Sequence, residues 1–285
     1  MPILDNDTQV SVFVEGLDHP EGIAWGLDGY VYAGGEVGQV YRVDIEKPES
    51  TQFADTGGFV LGMALDSSNN IYACDAGNGC IQKISPGGAV STYSTGAPGE
   101  PFTMPNYPAF DAQGNLYVCD SGDWKGDNGR IFKIAPGGAG EVWDRSLKEF
   151  PNGLCLGPTG DYLYVAMSLG PPRVARIKIE ADGSAGEAET VVELPMTVPD
   201  GVAFDTEGNL YSSMYRPDRI YRLTPSGELD VLAEDFEGTL IAAPTNIAFC
   251  GRGRDLLLST NLGRWHLSRY EVDATGLSLH YPDIG

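Results

Sequence analysis

One short phrase recurs six times along the chain and limits its fold more than any other feature. It reads Pro20-Glu21-Gly22-Ile23-Ala24-Trp25, Val60-Leu61-Gly62-Met63-Ala64-Leu65 and Pro105-Asn106-Tyr107-Pro108-Ala109-Phe110. It then continues as Pro151-Asn152-Gly153-Leu154-Cys155-Leu156, Pro199-Asp200-Gly201-Val202-Ala203-Phe204 and Pro244-Thr245-Asn246-Ile247-Ala248-Phe249. Its second residues fall at 21, 61, 106, 152, 200 and 245, so the period stays between 40 and 48 residues. Two further phrases follow it. One is a turn with an alternating strand, as in Asp28-Gly29-Tyr30-Val31-Tyr32 or Gly208-Asn209-Leu210-Tyr211-Ser212. The other is a short apolar strand carrying one cation: Arg42, Lys83, Lys133, Arg176, Arg222 and Arg269 occupy that position in the six units. A fourth extended stretch, such as Thr190-Val191-Val192-Glu193-Leu194, leads to the next unit. Asp-Gly and Pro-Gly-Gly turns separate these segments, as hairpins require.

No segment sustains a 3.6-residue apolar period, and 38 glycines with 19 prolines disfavour long helices. Four short antiparallel strands repeated six times match the blades of an all-β, six-bladed β-propeller. Residues 1–285 are expected to form one such domain. The early strand Val10-Ser11-Val12-Phe13-Val14 precedes the first unit and is expected to pair into the last blade, closing the ring and removing an exposed edge. Leu277-Ser278-Leu279-His280-Tyr281 competes with it for the outermost position there, and pattern alone does not choose between them.

Composition excludes several partners. The formal net charge is −22, with 40 acids against 18 bases, so nucleic acid and anionic membrane surfaces would repel the chain. No apolar run reaches the roughly 18 residues that span a bilayer. The opening residues 1–7 lack the basic and apolar regions of a secretory leader. The five cysteines are odd in number and form no Cys-x-x-Cys pair, which argues for buried thiols and a cytoplasmic protein. The oligomeric state is not legible.

The repeat also aims chemistry. In a propeller the first strand of each blade lines the central channel. The second residue of each phrase therefore points toward the axis on one face, giving a ring of Glu21, Leu61, Asn106, Asn152, Asp200 and Thr245. Two carboxylates and two carboxamides converging in a narrow channel are costly without a partner, and a divalent cation supplies one. All the donors are oxygen, so calcium fits, as do Mg²⁺, Mn²⁺, Fe²⁺ and Zn²⁺. A hydrogen-bonded polar plug and a purely structural ion are the alternatives. The ends of the second strands and the enlarged loop from Ser121 to Asn128 are expected to form the mouth. Asp120, Trp124, Met214 and Tyr215 are its candidate substrate contacts, although Asp75 and Asp120 also suit turn capping. Of the three histidines, His19 lies nearest a ring residue; no Gly-x-Ser-x-Gly elbow and no phosphate-binding loop occurs.

Pro20-Glu21-Gly22, Pro151-Asn152-Gly153 and Pro199-Asp200-Gly201-Val202-Ala203, in that blade order, resemble the senescence marker protein/gluconolactonase family, and the likeness extends over nearly the whole chain. The resemblance implies a six-bladed, metal-dependent lactonase with metal ligands Glu21, Asn152 and Asp200. It implies that Asp200 also accepts a proton from a metal-activated water, and that Asn106 faces the substrate and orients its developing oxyanion. Sugar-lactone members often carry an arginine shortly before the third-blade asparagine. Here Phe102-Thr103-Met104-Pro105-Asn106 has none, and with Met104, Trp124, Met214 and Tyr215 near the mouth a more apolar lactone is within the expectation. Two rival readings stay open: a propeller phosphotriesterase or arylesterase, and a non-catalytic binding scaffold with a structural ion.

Overall fold

A computed structural model describes residues 2–284 and contains no helix among them. Six four-stranded antiparallel sheets stand in a ring, joined in chain order. The innermost strands are Ile23–Trp25, Val60–Leu65, Pro105–Phe110, Pro151–Leu156, Val198–Phe204 and Pro244–Cys250. Each packs against the next around the axis, and the sixth returns to the first. This is the six-bladed β-propeller that the repeat predicts.

Closure falls to the early strand. Val10–Glu15 pairs antiparallel with His266–Tyr270 and forms the outer edge of the sixth blade. Residues 277–281, the other candidate, form no strand and cross the lower face of the ring. Polar contacts reinforce the seam. The Glu21 carbonyl of blade 1 accepts hydrogen bonds from Thr245 Oγ1 at 2.9 Å, Thr260 Oγ1 at 2.7 Å and Asn246 Nδ2 at 2.9 Å, all from blade 6. A short hairpin that the repeat does not announce, Gly96–Ala97 with Glu100–Pro101, sits in the connection to blade 3.

Several blades carry a staple built from the two phrases that follow the inner strand. A turn aspartate accepts a hydrogen bond from a second-strand tyrosine: Tyr32 to Asp28 at 2.7 Å, Tyr72 to Asp66 at 3.1 Å, Tyr211 to Asp205 at 3.0 Å. The third-strand cation then lies over an aromatic face, as with Arg42 on Tyr30 (4.6 Å) and Arg176 on Tyr162 (4.4 Å). Cross-strand pairs of this kind stabilise a sheet locally. Apolar clusters between neighbouring blades supply the rest of the core, so the core is a ring of wedges around a channel.

The glycine of the recurring phrase has a packing cause. A Cβ on Gly22 would lie 1.9 Å from the Leu61 carbonyl oxygen, and one on Gly153 would lie 2.3 Å from the Asp200 carbonyl oxygen. Adjacent inner strands converge there so closely that only a hydrogen fits between them. That convergence draws the residue before each glycine to the axis.

Candidate metal centre

In blades 2 to 6 the inner strand breaks register at the recurring phrase, between Val60 and Met63, Pro105 and Tyr107, Pro151 and Leu154, Pro199 and Val202, and Pro244 and Ile247. Such bulges free residues from the ladder and re-aim their side chains. Glu21, Asn106, Asn152 and Asp200 are all buried at this level, between 2% and 8% exposed. Each leaves one oxygen without any hydrogen-bond partner: Glu21 Oε2, Asn106 Oδ1, Asn152 Oδ1 and Asp200 Oδ1. Buried acceptors of this kind are normally satisfied, so four at one level of a channel need a common explanation.

The two amides are held in one orientation by a pair of serines at the ends of the second strands. Ser121 Oγ donates its proton to the Pro151 carbonyl at 2.7 Å, so it can only accept from Asn106 Nδ2, at 3.0 Å. Ser168 Oγ likewise donates to the Pro199 carbonyl at 2.6 Å and accepts from Asn152 Nδ2 at 3.2 Å. Each serine thus ties a ring amide to the backbone of the next blade. The amide nitrogen is engaged, and the carbonyl oxygen is left as the free acceptor. The belt continues with Ser213, which donates to the Thr245 carbonyl.

The electrostatics follow from burial. Desolvation raises the Glu21 carboxyl to about 7 from its ordinary 4.5. Asp200 is driven well above the carboxylate range by desolvation first and then by the charge of Glu21, with a partly compensating hydrogen bond from Asn152. Two carboxylates and two carbonyl oxygens, all unpartnered and desolvated, match the hard-oxygen preference of a divalent cation, whose charge reverses both penalties. The remaining ring positions offer nothing comparable: Leu61 is apolar, and Thr245 spends its hydroxyl on the Glu21 carbonyl.

The other sequence-predicted residues divide. Trp124 stands at the rim, 53% exposed, with its ring edge-on to Phe150 at 4.9 Å, two residues before Asn152. Tyr215 is partly exposed, with the Arg216 guanidinium over its ring at 5.1 Å. Asp120 and Met214 do not face the mouth. The Asp120 carboxylate is fully buried and binds the Thr103 and Met104 amides and Arg130, so it anchors the segment that delivers Asn106. Met214 is fully buried among the apolar side chains between blades 4 and 5. Asn106 also differs from expectation: with Nδ2 held by Ser121 it presents an acceptor, where stabilising an oxyanion calls for a donor. His19 contacts Asp18 at 2.8 Å and Glu36 at 3.0 Å and packs against Trp265, which makes it part of the rim scaffold.

Sequence reasoning missed three features. Ser121 and Ser168 register only as mouth residues, and one hydroxyl per blade at the end of the second strand is the signal that could have marked the belt. Asn246 adds a fifth orphaned oxygen beside Thr245, its Nδ2 being spent on the Glu21 carbonyl. Tyr107, directly after Asn106, replaces the usual glycine and fills part of the channel.

A gluconolactonase from Zymomonas mobilis is 26% identical over 234 residues, which is 74% of this chain and 62% of that protein. This chain spans less than two thirds of the length of the curated relatives that it matches, 62% and 44% of them. Among solved structures, a gluconolactonase from Xanthomonas campestris superposes with a TM-score of 0.79 at 20% identity, covering 92% of this chain and 89% of that one. A calcium-binding regucalcin from Agrobacterium tumefaciens superposes with a TM-score of 0.76 at 16% identity, covering 96% and 97%. At those identities the superpositions bear on the fold alone. The family model described as the SMP-30/gluconolactonase/LRE-like region matches residues 90–262, more than half of the sequence and including Asn106, Asn152 and Asp200. The chain therefore belongs to the SMP-30/gluconolactonase/LRE-like family.

Proposed function

We propose that this protein is a divalent-metal-dependent hydrolase that opens lactone rings. The observation that carries the reading is the set of four unpartnered oxygens on Glu21, Asn106, Asn152 and Asp200. A polar plug would satisfy its own acceptors, and this ring does not. Glu21, Asn152 and Asp200 would hold the ion, with Asn106 Oδ1 as a fourth oxygen or as acceptor for a substrate hydroxyl. Calcium is the first candidate, because the donors are hard oxygens and a neighbour in fold is a calcium-binding regucalcin.

When bound, a divalent cation there supplies charge neutralisation and Lewis-acid polarisation of an ester carbonyl. The chain's own residues do the remainder. Ser121 and Ser168 keep the amide oxygens fixed, so little reorganisation is needed as charge develops. The Asp200 carboxylate takes a proton as water adds to the acyl carbon, then returns it to the ring oxygen as the acyl C–O bond breaks. The products are a carboxylic acid and a free hydroxyl on one opened molecule. Trp124 and Tyr215 at the rim, together with the absence of an arginine before Asn106, favour a lactone with few hydroxyls over a sugar lactone.

The test is turnover on a panel of an aldonolactone, an aliphatic lactone, an aryl ester and a phosphotriester. It is run on metal-stripped protein and again after adding Ca²⁺, Mg²⁺, Mn²⁺ or Zn²⁺. The expected result is metal-restored lactone hydrolysis, and its loss together with metal binding in Asp200→Ala. Full activity in that variant overturns the assignment. Preference for the phosphotriester would instead favour the phosphotriesterase reading.

A further inference from the structure

Below the oxygen ring the same channel changes character. A cavity of about 350 Å³ begins at Ile23, Met63, Leu154, Val202 and Ile247, each two residues beyond a ring position, and contains none of the six ring residues. Its wall is formed by the far ends of the inner strands, with Trp25, Leu65, Phe110, Leu156, Phe204 and Phe249 in equivalent places. No Asp, Glu, Lys or Arg lines it, in a chain with 40 acids. The floor is the segment 277–281, fixed by the Leu277 amide on the Phe204 carbonyl at 2.8 Å and by the Tyr281 hydroxyl on the Trp25 carbonyl at 2.8 Å.

Thr159, Ser278, His280 and Tyr281 also line the cavity, but Tyr107 carries the one hydroxyl that comes from an inner strand. Tyr107 occupies the place that is glycine in blades 1, 2, 4 and 5, and it lines the cavity. Its hydroxyl finds no hydrogen-bond partner among the described residues. Burial pushes the phenol further up, so it remains a neutral donor. Tyr107 is half-buried, and a tyrosine hydroxyl set in an apolar wall normally has an acceptor. Cys155, also in the wall, is kept a neutral thiol by burial. The volume lies within the range of small-molecule sites, and a mainly apolar wall with a few placed polar groups is their usual composition.

We propose that the lower half of the channel is a second small-molecule site, separate from the metal centre. Its ligand is a neutral, mainly apolar molecule of one or two rings with a single carbonyl acceptor, which receives the Tyr107 hydroxyl. Charged ligands are disfavoured because no Asp, Glu, Lys or Arg lines the wall to compensate their desolvation, and Thr159, Ser278 and His280 lie in the turn after the fourth inner strand and in the floor. The apolar part gains from burial in proportion to area, and the carbonyl sets its orientation.

The probes are 2-acetylnaphthalene, which carries the acceptor, and 2-ethylnaphthalene, which has the same shape without it. Both are titrated against the full chain with calcium present. Saturable one-to-one binding of both is expected. Tyr107→Phe should weaken the acetyl compound about tenfold and leave the ethyl compound unchanged, the size expected for one hydrogen bond to a neutral acceptor. Ala109→Phe, which fills the cavity, should abolish both. Location is read independently of these variants by nuclear magnetic resonance, where bound probe should show Overhauser contacts to the Met63 methyl group of the wild-type protein. Binding should also survive in Asp200→Ala, which keeps this outcome distinct from that of the hydrolase reading. Absence of saturable binding, equal effects of Tyr107→Phe on both probes, or no contact between bound probe and the Met63 methyl overturns the proposal.

Discussion

Removing a carboxylate from the ring should make the metal-free protein more stable at alkaline pH, not less. Glu21 sets the scale. Its carboxyl rises from 4.5 to about 7 on folding, and each unit corresponds to about 1.36 kcal/mol, so ionising it in the folded state costs about 3 kcal/mol. Asp200 is shifted in the same direction, partly by Glu21 itself. For a raised carboxyl the folded state binds more protons than the unfolded state, so stability falls as pH rises. The penalty is absent below about pH 4.5, grows between 4.5 and 7, and is complete above that. Asp200→Asn keeps the shape and removes one of the two charges. Allowing for the buried amide, the metal-free variant should exceed the wild type by about 2 kcal/mol at pH 8, which is a Tm about 4 °C higher for a chain of this size. At pH 4.5 the charge penalty is gone and the amide cost remains, so the variant should be about 1 kcal/mol less stable than the wild type. Excess calcium should reverse the order, since the wild type gains about 2.7 kcal/mol at a hundredfold excess over Kd while the variant gains little. Calorimetric melting at both pH values, with EDTA and with calcium, measures all of this. A metal-free Asp200→Asn that is less stable than the wild type at pH 8, or a difference that ignores pH, refutes the charge argument. Undiminished calcium affinity refutes the ligand assignment.

Two further perturbations probe the supports of the ring. Ser168→Ala removes both the Asn152 and the Pro199 contacts, so calcium affinity measured by titration calorimetry should fall 10- to 100-fold and stability by about 2 kcal/mol; unchanged affinity would show that the amide needs no fixing. Gly153→Ala forces a Cβ to within 2.3 Å of the Asp200 carbonyl oxygen and should cost more than about 3 kcal/mol in urea unfolding, whereas Gly87→Ala, with its nearest contact at 3.8 Å, should stay within about 0.5 kcal/mol.

The repeat was legible because a propeller stacks the same small unit around an axis. Each unit must therefore present similar turns, alternation and close-approach glycines. Residues 21, 106, 152 and 200 could be picked out for the same reason, as one position in a periodic frame. Less legible was anything that depends on which way a side chain turns. Asp120 and Met214 sit at the ends of second strands as expected. The carboxylate of Asp120, however, turns back to bind the Thr103 and Met104 amides, and Met214 turns into the seam between blades. A strand end leaves both directions open, and only the neighbouring blade decides between them. Asn106 illustrates the same limit within one residue: an amide is donor and acceptor at once, and the proton of Ser121 decides which end is left free.

By itself, then, the sequence determined the six blades, their order and the level at which the ring's side-chain oxygens gather, because these follow from period and residue type. Tertiary structure decided how the ring closes, with Val10–Glu15 on the outer edge and residues 277–281 beneath the channel. It decided that Glu21, Asn106, Asn152 and Asp200 each keep an acceptor without a donor, and that the channel splits into an acidic upper ring and an apolar lower cavity divided near Tyr107. These properties belong to gaps between blades. A gap is set by how six similar wedges meet, and no single repeat contains that information.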